Sequence, residues 1–532
     1  MKFKEFLKTF FVNVKEGISR FLTAFISTVL FFLTVSYAII SETNRDEIIV
    51  PLCMTFGLIA VLSVLIKTYR EYIGSKLNDI IQYIVCAVVG VISFILIKIN
   101  YESLYLIMAY TGIIIALICF IFFILMRGEN KDTVFPKLVS SCIFSGAVCC
   151  VLSGGLSTCI AAFQSLIFNW DEIAKLYLIV NLFVWVIGFI NIFLSFIPKK
   201  DIPLAQSKIF RIFVLFAGLP LYILLIAILL IYLAKIVITW NMPVGEINWF
   251  ASFASLFFIF FLLSVTQYKE KIARLFVKYG GYFLIPVLIM QAIAVFERIN
   301  AYGLTTPRTV SLVLIVISIL FILSSLLMPR HINKVALISG IIVLIVTVTP
   351  LNVIDMPIKS QTNILKTVLI KNDMLKDNKV IPNENVSDKD AERIISSYEY
   401  LKYNAKKVPE FIEDSKKTTQ EIFGVTYKEK TDNHVYCTFQ TKETLLDITE
   451  YKSIQKINGI DYIKIEQNGT IKEIDLKEIA RKLYEKYRGD KQDLDLYIVD
   501  ENTALYISDF YVTVIDDDIS RCSLYGYALL KN

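Results

Sequence analysis

Residues 209–238 read IFRIFVLFAGLPLYILLIAILLIYLAKIVI, a run in which only Arg211 and Lys235 carry a charge. About 20 consecutive apolar residues, wound as a helix, cross the hydrocarbon core of a bilayer, which is about 30 Å thick. The stretch therefore predicts a transmembrane helix, and it is long enough to extend beyond the hydrocarbon.

Ten further segments have similar length and hydropathy, so the sequence predicts about eleven crossings. Over the 532 residues, 56% are hydrophobic and 19% are charged, against roughly 45–50% and 25% in globular chains. The mean hydropathy of +0.61 agrees. This composition excludes a wholly soluble protein and is a poor fit to disorder or to nucleic-acid binding. The ten further segments are 21–40, 48–66, 80–97, 104–126, 136–165, 173–197, 247–265, 279–296, 309–328 and 333–350.

Two of the long segments contain residues that weaken helices. The fifth contains Gly154 and Gly155, and the seventh contains Gly218 and Pro220. Each fits a continuous helix that is tilted or kinked. Each also fits a broken helix whose backbone ends line a substrate site.

Lysine and arginine alternate between the connections of the predicted helices. Counted from the amino terminus, the odd connections hold 21 of these residues and the even ones hold 6. The positive-inside rule then places the amino terminus in the cytoplasm. Eleven crossings place residues 351–532 outside, and the expected location is the plasma membrane.

The same pattern divides the chain into three parts. Residues 1–20 combine lysines with Phe6, Phe10 and Phe11, which predicts an amphipathic helix on anionic lipid. Residues 21–350 form the polytopic domain. Residues 351–532 are predicted to form an extracytoplasmic α+β domain, so the fold class is a membrane all-α bundle followed by a soluble α+β domain.

Local signals outline the elements of the α+β domain. Ser387 is a good helix cap, with acidic residues in the turn that follows. Residues 460–474 predict a hairpin closed by Asn468-Gly469. Helices first and strands later suggest a small antiparallel sheet covered by helices. The other predicted elements are a helix over 364–375, a helix over 475–487, and strands at 494–499, 504–515 and 519–529.

Few residues offer chemistry. Cys437 and Cys522 are the two cysteines of the α+β domain, and they could form a disulfide or remain two reduced thiols. The two histidines, His331 and His434, have no ligand pair at metal spacing. We therefore expect no metal, no cofactor and no enzymatic activity, and no nucleic acid as a partner.

Charges at the ends of predicted helices are the better pointers to function, because charges inside lipid are costly. Glu297 and Arg298 close the ninth segment, just before Tyr302-Gly303 and Arg308. This group fits an ion-paired loop between helices nine and ten. It also fits a ligand site for an anionic headgroup or wall polymer. Lys235 can extend its amine to the interface.

Three stretches resemble a bacterial membrane-protein family called domain of unknown function 4153. They are LYILLIAILLIYLAKIVITWNMPVGEINW (221–249), FERINAYGLTTPR (296–308) and IKSQTNILKTVLIKNDML (358–375). The resemblance covers about residues 130–410 and implies the membrane architecture without implying an activity. The residues that match the family's motifs are Lys235, Thr239, Trp240, Pro243, Gly245, Arg298, Tyr302, Gly303, Thr305, Arg308, Ser360 and Gln361.

The matched residues also suggest a physical arrangement. Lys235, Trp240, Arg298, Tyr302 and Arg308 all fall near the outer membrane face, and the nearby prolines and glycines form turns. We expect two outer loops to form one platform on which the first helix of the α+β domain docks.

Three functions remain open at this point. The first is an envelope protein whose outer domain senses, scaffolds or binds a surface component, with membrane lipid and another envelope protein or cell-wall component as partners. The second is a transporter or flippase for a small or lipid-linked substrate, which uses the kinked fifth and seventh helices and a groove lined by polar residues. The third is a membrane-embedded transferase, for which only Glu297 offers a base. The polar residues that would line the groove are Gln164, Asn181, Asn191 and Gln291.

Overall fold

The computed structural model divides the chain into two compact units, Met1–Val425 and Thr426–Asn532. The predicted domain boundary after residue 350 therefore differs from the division in the structure. Residues 351–425 belong to the first unit, because their core includes side chains of the membrane helices such as Tyr105, Met108 and Val346. The residues that the structure describes are 2–41, 46–74, 78–127, 131–167, 172–200, 207–239, 246–412, 417–425, 435–441, 449–467, 470–487, 491–494, 496–515 and 518–531.

Helices dominate the first unit, and each of the eleven predicted crossings corresponds to a helix. Among the described residues, ten helices are long and apolar enough to cross a membrane, and the eleventh has 17 residues. The chain is therefore an integral, multi-pass membrane protein. After α1 (Lys2–Arg20), these helices are α2 (Leu22–Ser41), α3 (Asp46–Ile73), α4 (Asp79–Ile99), α5 (Leu104–Leu125), α6 (Lys131–Leu166), α7 (Ile173–Ser195), α8 (Lys208–Thr239), α9 (Glu246–Val265), α10 (Lys271–Tyr302), α11 (Thr306–Leu327) and α12 (Ile332–Val348).

The helices with predicted weak points are continuous. Helix α6 runs for 36 residues through Gly154 and Gly155. Helix α8 contains a π-helical segment, Phe213–Gly218, just before Pro220. Proline has no amide hydrogen to donate to the preceding turn, and a wider turn accommodates that loss. A second π-helical segment, Phe183–Phe189, lies in α7, which contains no proline.

Contacts between helix termini define two ends of the helical unit. At one end, Arg20 pairs with Glu71 and Arg211 pairs with Glu270. We call this the Arg20 end. At the other end, Tyr105 donates a hydrogen bond to Asp355, close to the turn after Tyr302. We call it the Tyr302 end.

The short helix α12 packs closely against α5. A Cβ atom added at Gly112 would lie 2.5 Å from Thr347 Cβ, and one added at Gly340 would lie 2.7 Å from Phe120. Small residues that let helix backbones approach are typical of helix pairs within membranes. The eleventh helix is thus held by close packing despite its length.

Residues 351–425 form a helical subdomain at the Tyr302 end. It contains α13 (Asp355–Lys371), a short hairpin of β1 (Leu375–Lys376) and β2 (Lys379–Val380), α14 (Asp388–Glu399) and α15 (Thr419–Phe423). Ser387 caps α14, as predicted, by accepting a hydrogen bond from the amide of Asp390. A π-helical segment, Tyr400–Asn404, continues α14.

The second unit is a mixed sheet with one longer helix. Six strands contribute to the main sheet, with order β4-β10-β9-β3-β7 and with β8 paired to β9, while β5 and β6 form the separate predicted hairpin. The elements are β3 (Val435–Thr441), β4 (Ser453–Ile460), β5 (Tyr462–Gln467), β6 (Thr470–Asp475), α16 (Leu476–Tyr487), β7 (Lys491–Leu494), β8 (Tyr497–Asp500), β9 (Thr503–Ile515) and β10 (Asp518–Leu530).

Three details of this sheet differ from the predictions. Strand β4 was not predicted. The predicted strand at 494–499 overlaps the last residue of β7 and most of β8. Strand β3 pairs with β7 in parallel, although an antiparallel sheet was expected. Strand β4 is mostly polar in sequence, so it carries little of the alternation that predicts a strand. The parallel pair arises because the chain passes through β4, β5, β6 and α16 between β3 and β7.

Of the two states left open for Cys437 and Cys522, the fold disfavours the disulfide. Cys437 faces Val512 on one side of β9, and Cys522 faces the same residue on the other side. Two strand spacings put the cysteine Cα atoms about 9.6 Å apart, whereas a disulfide needs less than about 7 Å. Both thiols are buried, and burial raises the pKa of Cys522 to about 12.

Candidate functional site

The candidate site is built on the turn that joins α10 to α11 at the Tyr302 end. Helix α10 ends at Gly303, whose φ of 76° and ψ of 179° suit glycine alone. Thr305 then caps α11, and proline lies in the first turn of that helix, where its missing amide hydrogen is not needed. The sequence Gly303-Leu-Thr-Thr-Pro307 therefore specifies a sharp reversal between two membrane helices.

Helix α13 lies on this turn through two of the predicted site residues. Ser360 Oγ accepts a hydrogen bond of 3.1 Å from the Leu304 amide. Gln361 Nε2 donates to the carbonyl oxygens of Tyr302, at 2.8 Å, and Leu304, at 2.9 Å. Gln361 is buried at 2% exposure, and a Cβ atom at Gly303 would lie 3.0 Å from its amide nitrogen. The predicted docking of α13 on this loop is observed as these bonds.

Sequence reasoning missed residues that complete the contact. Tyr400 OH accepts a hydrogen bond of 3.1 Å from the Thr306 amide and lies 2.9 Å from its hydroxyl. Thr306 Oγ1 also donates to the Val353 carbonyl at 2.8 Å. Tyr400 is 94 residues from its partner, and nothing local in the sequence marks it. The turn is therefore held from both α13 and the segment after α14.

Three arginines surround the carboxyl end of α10. Arg308 donates to the Gly303 carbonyl and lies over the Tyr302 ring, 5.9 Å from its centroid. Arg393, also missed from sequence, donates to the carbonyls of Ala301 at 3.2 Å and Asn300 at 3.4 Å. Cations are favourable at the negative end of a helix dipole, where carbonyls lack partners.

The third arginine, Arg298, keeps unused hydrogen-bonding capacity. Its Nε is buried and has no hydrogen-bond partner among the residues that the structure describes, and its charge acts on Arg308. The predicted ion-paired loop is not observed: within the described residues, no ion pair includes Glu297, which is exposed, or any of these three arginines. The guanidinium groups, which we call the arginine cluster (Arg298, Arg308 and Arg393), can therefore accept an anion.

The second predicted loop is only partly described. Lys235 is exposed near the end of α8, and the adjacent Ile236 packs against Met290 and Ala294 of α10. This contact puts the end of α8 beside the half of α10 that leads to the arginine cluster. The remaining predicted platform residues, Trp240, Pro243 and Gly245, lie outside the described residues.

Three of the four polar residues predicted to line a membrane groove bond to neighbouring helices instead. Asn191 Nδ2 donates to Thr28 Oγ1 at 3.3 Å, and Gln291 Nε2 donates to Asn248 Oδ1 at 3.0 Å. Asn181 accepts a hydrogen bond from Ser153 of α6. Two cavities of about 580 and 450 Å³ lie at the Arg20 end, and neither is lined by these residues or by Gln164.

Metal binding would need several close ligands. Over the described part of the chain, no group of three or more histidine, cysteine or acidic residues is placed to hold a metal ion. The arginine cluster and its turn remain the arrangement with the clearest binding chemistry.

Comparison with known families agrees with the membrane architecture. The family described as Domain of unknown function (DUF4153) matches residues 21–377. The chain belongs to this family. The DUF4153 match begins earlier than the resemblance noted in the sequence, at the first membrane helix, and it ends shortly after α13. It includes the arginine cluster except Arg393, together with Ser360 and Gln361.

No curated protein and no solved structure matches the chain at a significant level. The DUF4153 region stops well before the second unit, so the family accounts for the helical part of the molecule and not for the sheet. Its description carries no activity, and function must be argued from the geometry of the chain itself.

Proposed function

We propose that the protein is a non-enzymatic component of a bacterial cell envelope that binds an anionic surface component at the arginine cluster. The proposal includes a plasma-membrane location, with the amino terminus and the Arg20 end in the cytoplasm and the carboxyl-terminal residues outside. The ligand class is a phosphate-bearing surface polymer, and the role is to sense or hold that polymer.

The observation that carries this proposal is the arginine cluster without acidic partners. Arg308 and Arg393 are held by backbone carbonyls, and the buried Nε of Arg298 has no hydrogen-bond partner. Leaving such a group unsatisfied costs free energy, which an anion would recover through charge-assisted hydrogen bonds. Helix α13 fixes the turn and so keeps the arginines in place before any ligand binds.

Orientation is a separate part of the proposal and rests on the distribution of lysine and arginine. A reporter that is active only outside the cytoplasm, fused after Asn532, should be active, whereas the same reporter fused after Lys200 should be silent. A fluorescent protein that folds only in the cytoplasm should give the reverse pattern. The reverse result at Asn532 would contradict the outside placement.

Ligand binding can be tested on the purified protein with a glycerol-phosphate polymer as the probe. Arg298→Gln should weaken binding by at least about 10-fold, since a hydrogen bond to a charged group contributes about 1.5–3 kcal/mol. Lys366→Gln is the matched control, because this exposed lysine of α13 also removes one positive charge. Neutral dextran should not bind. Equal affinity for the wild type and Arg298→Gln would exclude the arginine cluster as the site.

The transporter or flippase alternative has less support. It requires polar side chains that converge on a groove, whereas Asn181, Asn191 and Gln291 each bond across a different pair of helices. Such bonds contribute about 0.6 kcal/mol each to helix association in membranes. The transferase alternative depends on Glu297, whose side chain is exposed and has no recorded hydrogen bond or ion pair among the described residues that would position it as a base.

A further inference from the structure

A cavity of about 580 Å³ opens at the Arg20 end, and charged side chains form most of its lining. It is an open depression rather than an enclosed pocket, so a ligand seated there would remain partly exposed. Two acidic residues, Glu16 and Glu71, also line it, so the lining carries a surplus of positive charge. The cations are Lys15, Arg20, Lys67, Lys199 and Lys200.

At the base of the cavity, the positive charge of Arg20 is already neutralised by Glu71, and hydrogen bonds hold its side chain in place. Arg20 pairs with Glu71 at 2.6 Å and donates to the carbonyls of Ile197, at 2.7 Å, and Pro198, at 3.0 Å. Its side chain is 9% exposed. Arg20 therefore ties α1 to the ends of α3 and α7, and it has little capacity left for a ligand.

The rim holds the positive charge that is not neutralised. Lys199 pairs with Glu16 at 3.1 Å, and Lys67 lies 3.8 Å from Asp79. Lys15 and Lys200 are exposed, and neither has an acidic partner among the described residues. A ligand with one or two phosphates would bring acceptors to these amines.

The position of the cavity at the ends of three membrane helices indicates its depth in the membrane. It lies where α2 begins, where α3 ends and just after α7 ends, so three apolar helices leave the hydrocarbon around it. Charged side chains at the ends of membrane helices lie at the level of the lipid headgroups.

Helix α1 forms one wall of the cavity, packs on other helices through Gly17 and Phe10, and leaves Phe11 exposed. Gly17 contacts Ser195, where an added Cβ would lie 2.5 Å from Ser195 Cβ, and Phe10 packs on Phe144 at 6.2 Å between ring centroids. Phe11 is 65% exposed on the same helix. An amphipathic helix with exposed aromatic side chains and lysines lies in the membrane interface.

We propose that this cavity binds the headgroup of an anionic phospholipid from the leaflet at the Arg20 end. The phosphate lies between Lys15 and Lys200, the Arg20–Glu71 pair forms the floor, and the acyl chains run along the lipid-facing side of the adjoining helices. Basic pockets between membrane helices are recognised sites for anionic headgroups. The site is distinct from the arginine cluster, and it does not depend on which face of the membrane the Arg20 end occupies.

The test uses the full chain, purified in a neutral detergent, with lipid binding followed by native mass spectrometry and thermal stability. The probes are phosphatidylglycerol, phosphatidylcholine as the neutral lipid, and inorganic phosphate. The double variant Lys15→Ala/Lys200→Ala should bind phosphatidylglycerol about 30-fold more weakly than the wild type, from about 1 kcal/mol for each amine.

A matched control separates the cavity from general surface charge. Lys269 and Lys334 are exposed lysines at the same end but outside α1, and neither lines the cavity. The variant Lys269→Ala/Lys334→Ala should keep wild-type affinity and wild-type stabilisation by the lipid. Phosphatidylcholine and inorganic phosphate should stabilise neither variant nor the wild type.

Three outcomes would overturn the proposal. Equal loss of phosphatidylglycerol binding in both double variants would mean that surface charge alone attracts the lipid. Equal stabilisation by phosphatidylcholine would mean that the protein does not recognise the anionic headgroup. Stabilisation by inorganic phosphate to the same extent as by lipid would identify the ligand as a soluble anion. Loss of polymer binding at Arg298 bears on none of these measurements, so the two proposals fail separately.

Discussion

The side chain of Gln361 is one of the contacts that connect the helical subdomain to the membrane helices. Its amide donates to two carbonyls of the turn, and its Oε1 is buried without a partner. Gln361→Leu should lower the free energy of unfolding by about 1–3 kcal/mol, because two part-buried carbonyls lose their donor. The melting temperature of the purified protein measures the effect. Asn363→Leu changes an exposed residue two positions along the same helix and should have little effect; equal shifts would contradict the assigned role.

Gly303 combines a backbone conformation with a close contact. At φ 76° and ψ 179°, a residue with a side chain is strained by about 1–3 kcal/mol, and a Cβ atom would also press on Ile364 and Gln361. Gly303→Ala should therefore be more destabilising than Gly74→Ala. Gly74 has a similar φ of 71° but has open space around it. Thermal melts of both variants test the difference, and a smaller loss at Gly303 would be inconsistent with the packing of α13.

At the scale of the element, helix pairs depend on which glycines face a neighbour. Gly112 of α5 lies against Thr347 of α12, whereas Gly154 of α6 has nothing within 4 Å. Gly112→Ala should destabilise the protein by about 1–3 kcal/mol through overpacking. Gly154→Ala should be neutral or slightly stabilising, because alanine favours the helix by about 1 kcal/mol. If Gly154→Ala lowered the melting temperature, the interpretation of α6 as a broken helix would regain support.

Helix α14 carries a pH-dependent contribution through its first turn. A hydrogen bond from Lys371, at 2.7 Å, holds the pKa of Asp390 below its usual value, with further bonds from Asn372 and Ser387. A carboxyl whose pKa is lowered by folding stabilises the protein above its unfolded pKa, near 4, and this contribution disappears as pH falls through the folded pKa.

Asp390→Asn should therefore lower the melting temperature at pH 7 and flatten its decline between about pH 4 and the lower folded pKa. The equivalent change at Asp388, which is exposed in the same turn, should alter neither property to a similar degree. Melting curves from pH 7 to pH 3 make the comparison. Parallel curves for Asp390→Asn and the wild type would show that the Lys371 contact contributes nothing.

At the scale of the whole molecule, two of the buried clusters among the described residues lie in different compact units and share no residue. One joins the helical subdomain to α5 and α12, and the other lies between the strands and α16 of the second unit. Phe510 is fully buried in the second core, next to Phe439. Phe510→Ala should destabilise that unit by about 3–5 kcal/mol and leave the helical unit unchanged.

Hydrogen exchange by mass spectrometry distinguishes the two units. Peptides from β9 and β10 should lose protection in Phe510→Ala, whereas peptides from α13 and α14 should keep it. Tyr511→Ala, at an adjacent position that is 49% exposed, should change little in either unit. Equal loss of protection in α13 would mean that the two units unfold as one.

The sequence by itself determined where the membrane helices lie, that Ser387 caps a helix and that residues 460–474 form a hairpin. These features depend on hydropathy and local backbone preference, which each segment carries on its own. The resemblance to the family's motifs identified Gly303, Ser360 and Gln361. Hydropathy and local preference missed β4, whose polar sequence forms a strand only because β10 lies beside it.

Only the tertiary structure decided which distant groups meet. Tyr400 reaches Thr306 across 94 residues, Arg393 reaches the end of α10, and β9 separates Cys437 from Cys522. It also decided that residues 351–425 belong with the membrane helices and that the membrane amides are paired between helices. Contacts of this kind depend on how elements pack in three dimensions, and residues far apart in a single chain carry no local record of that packing.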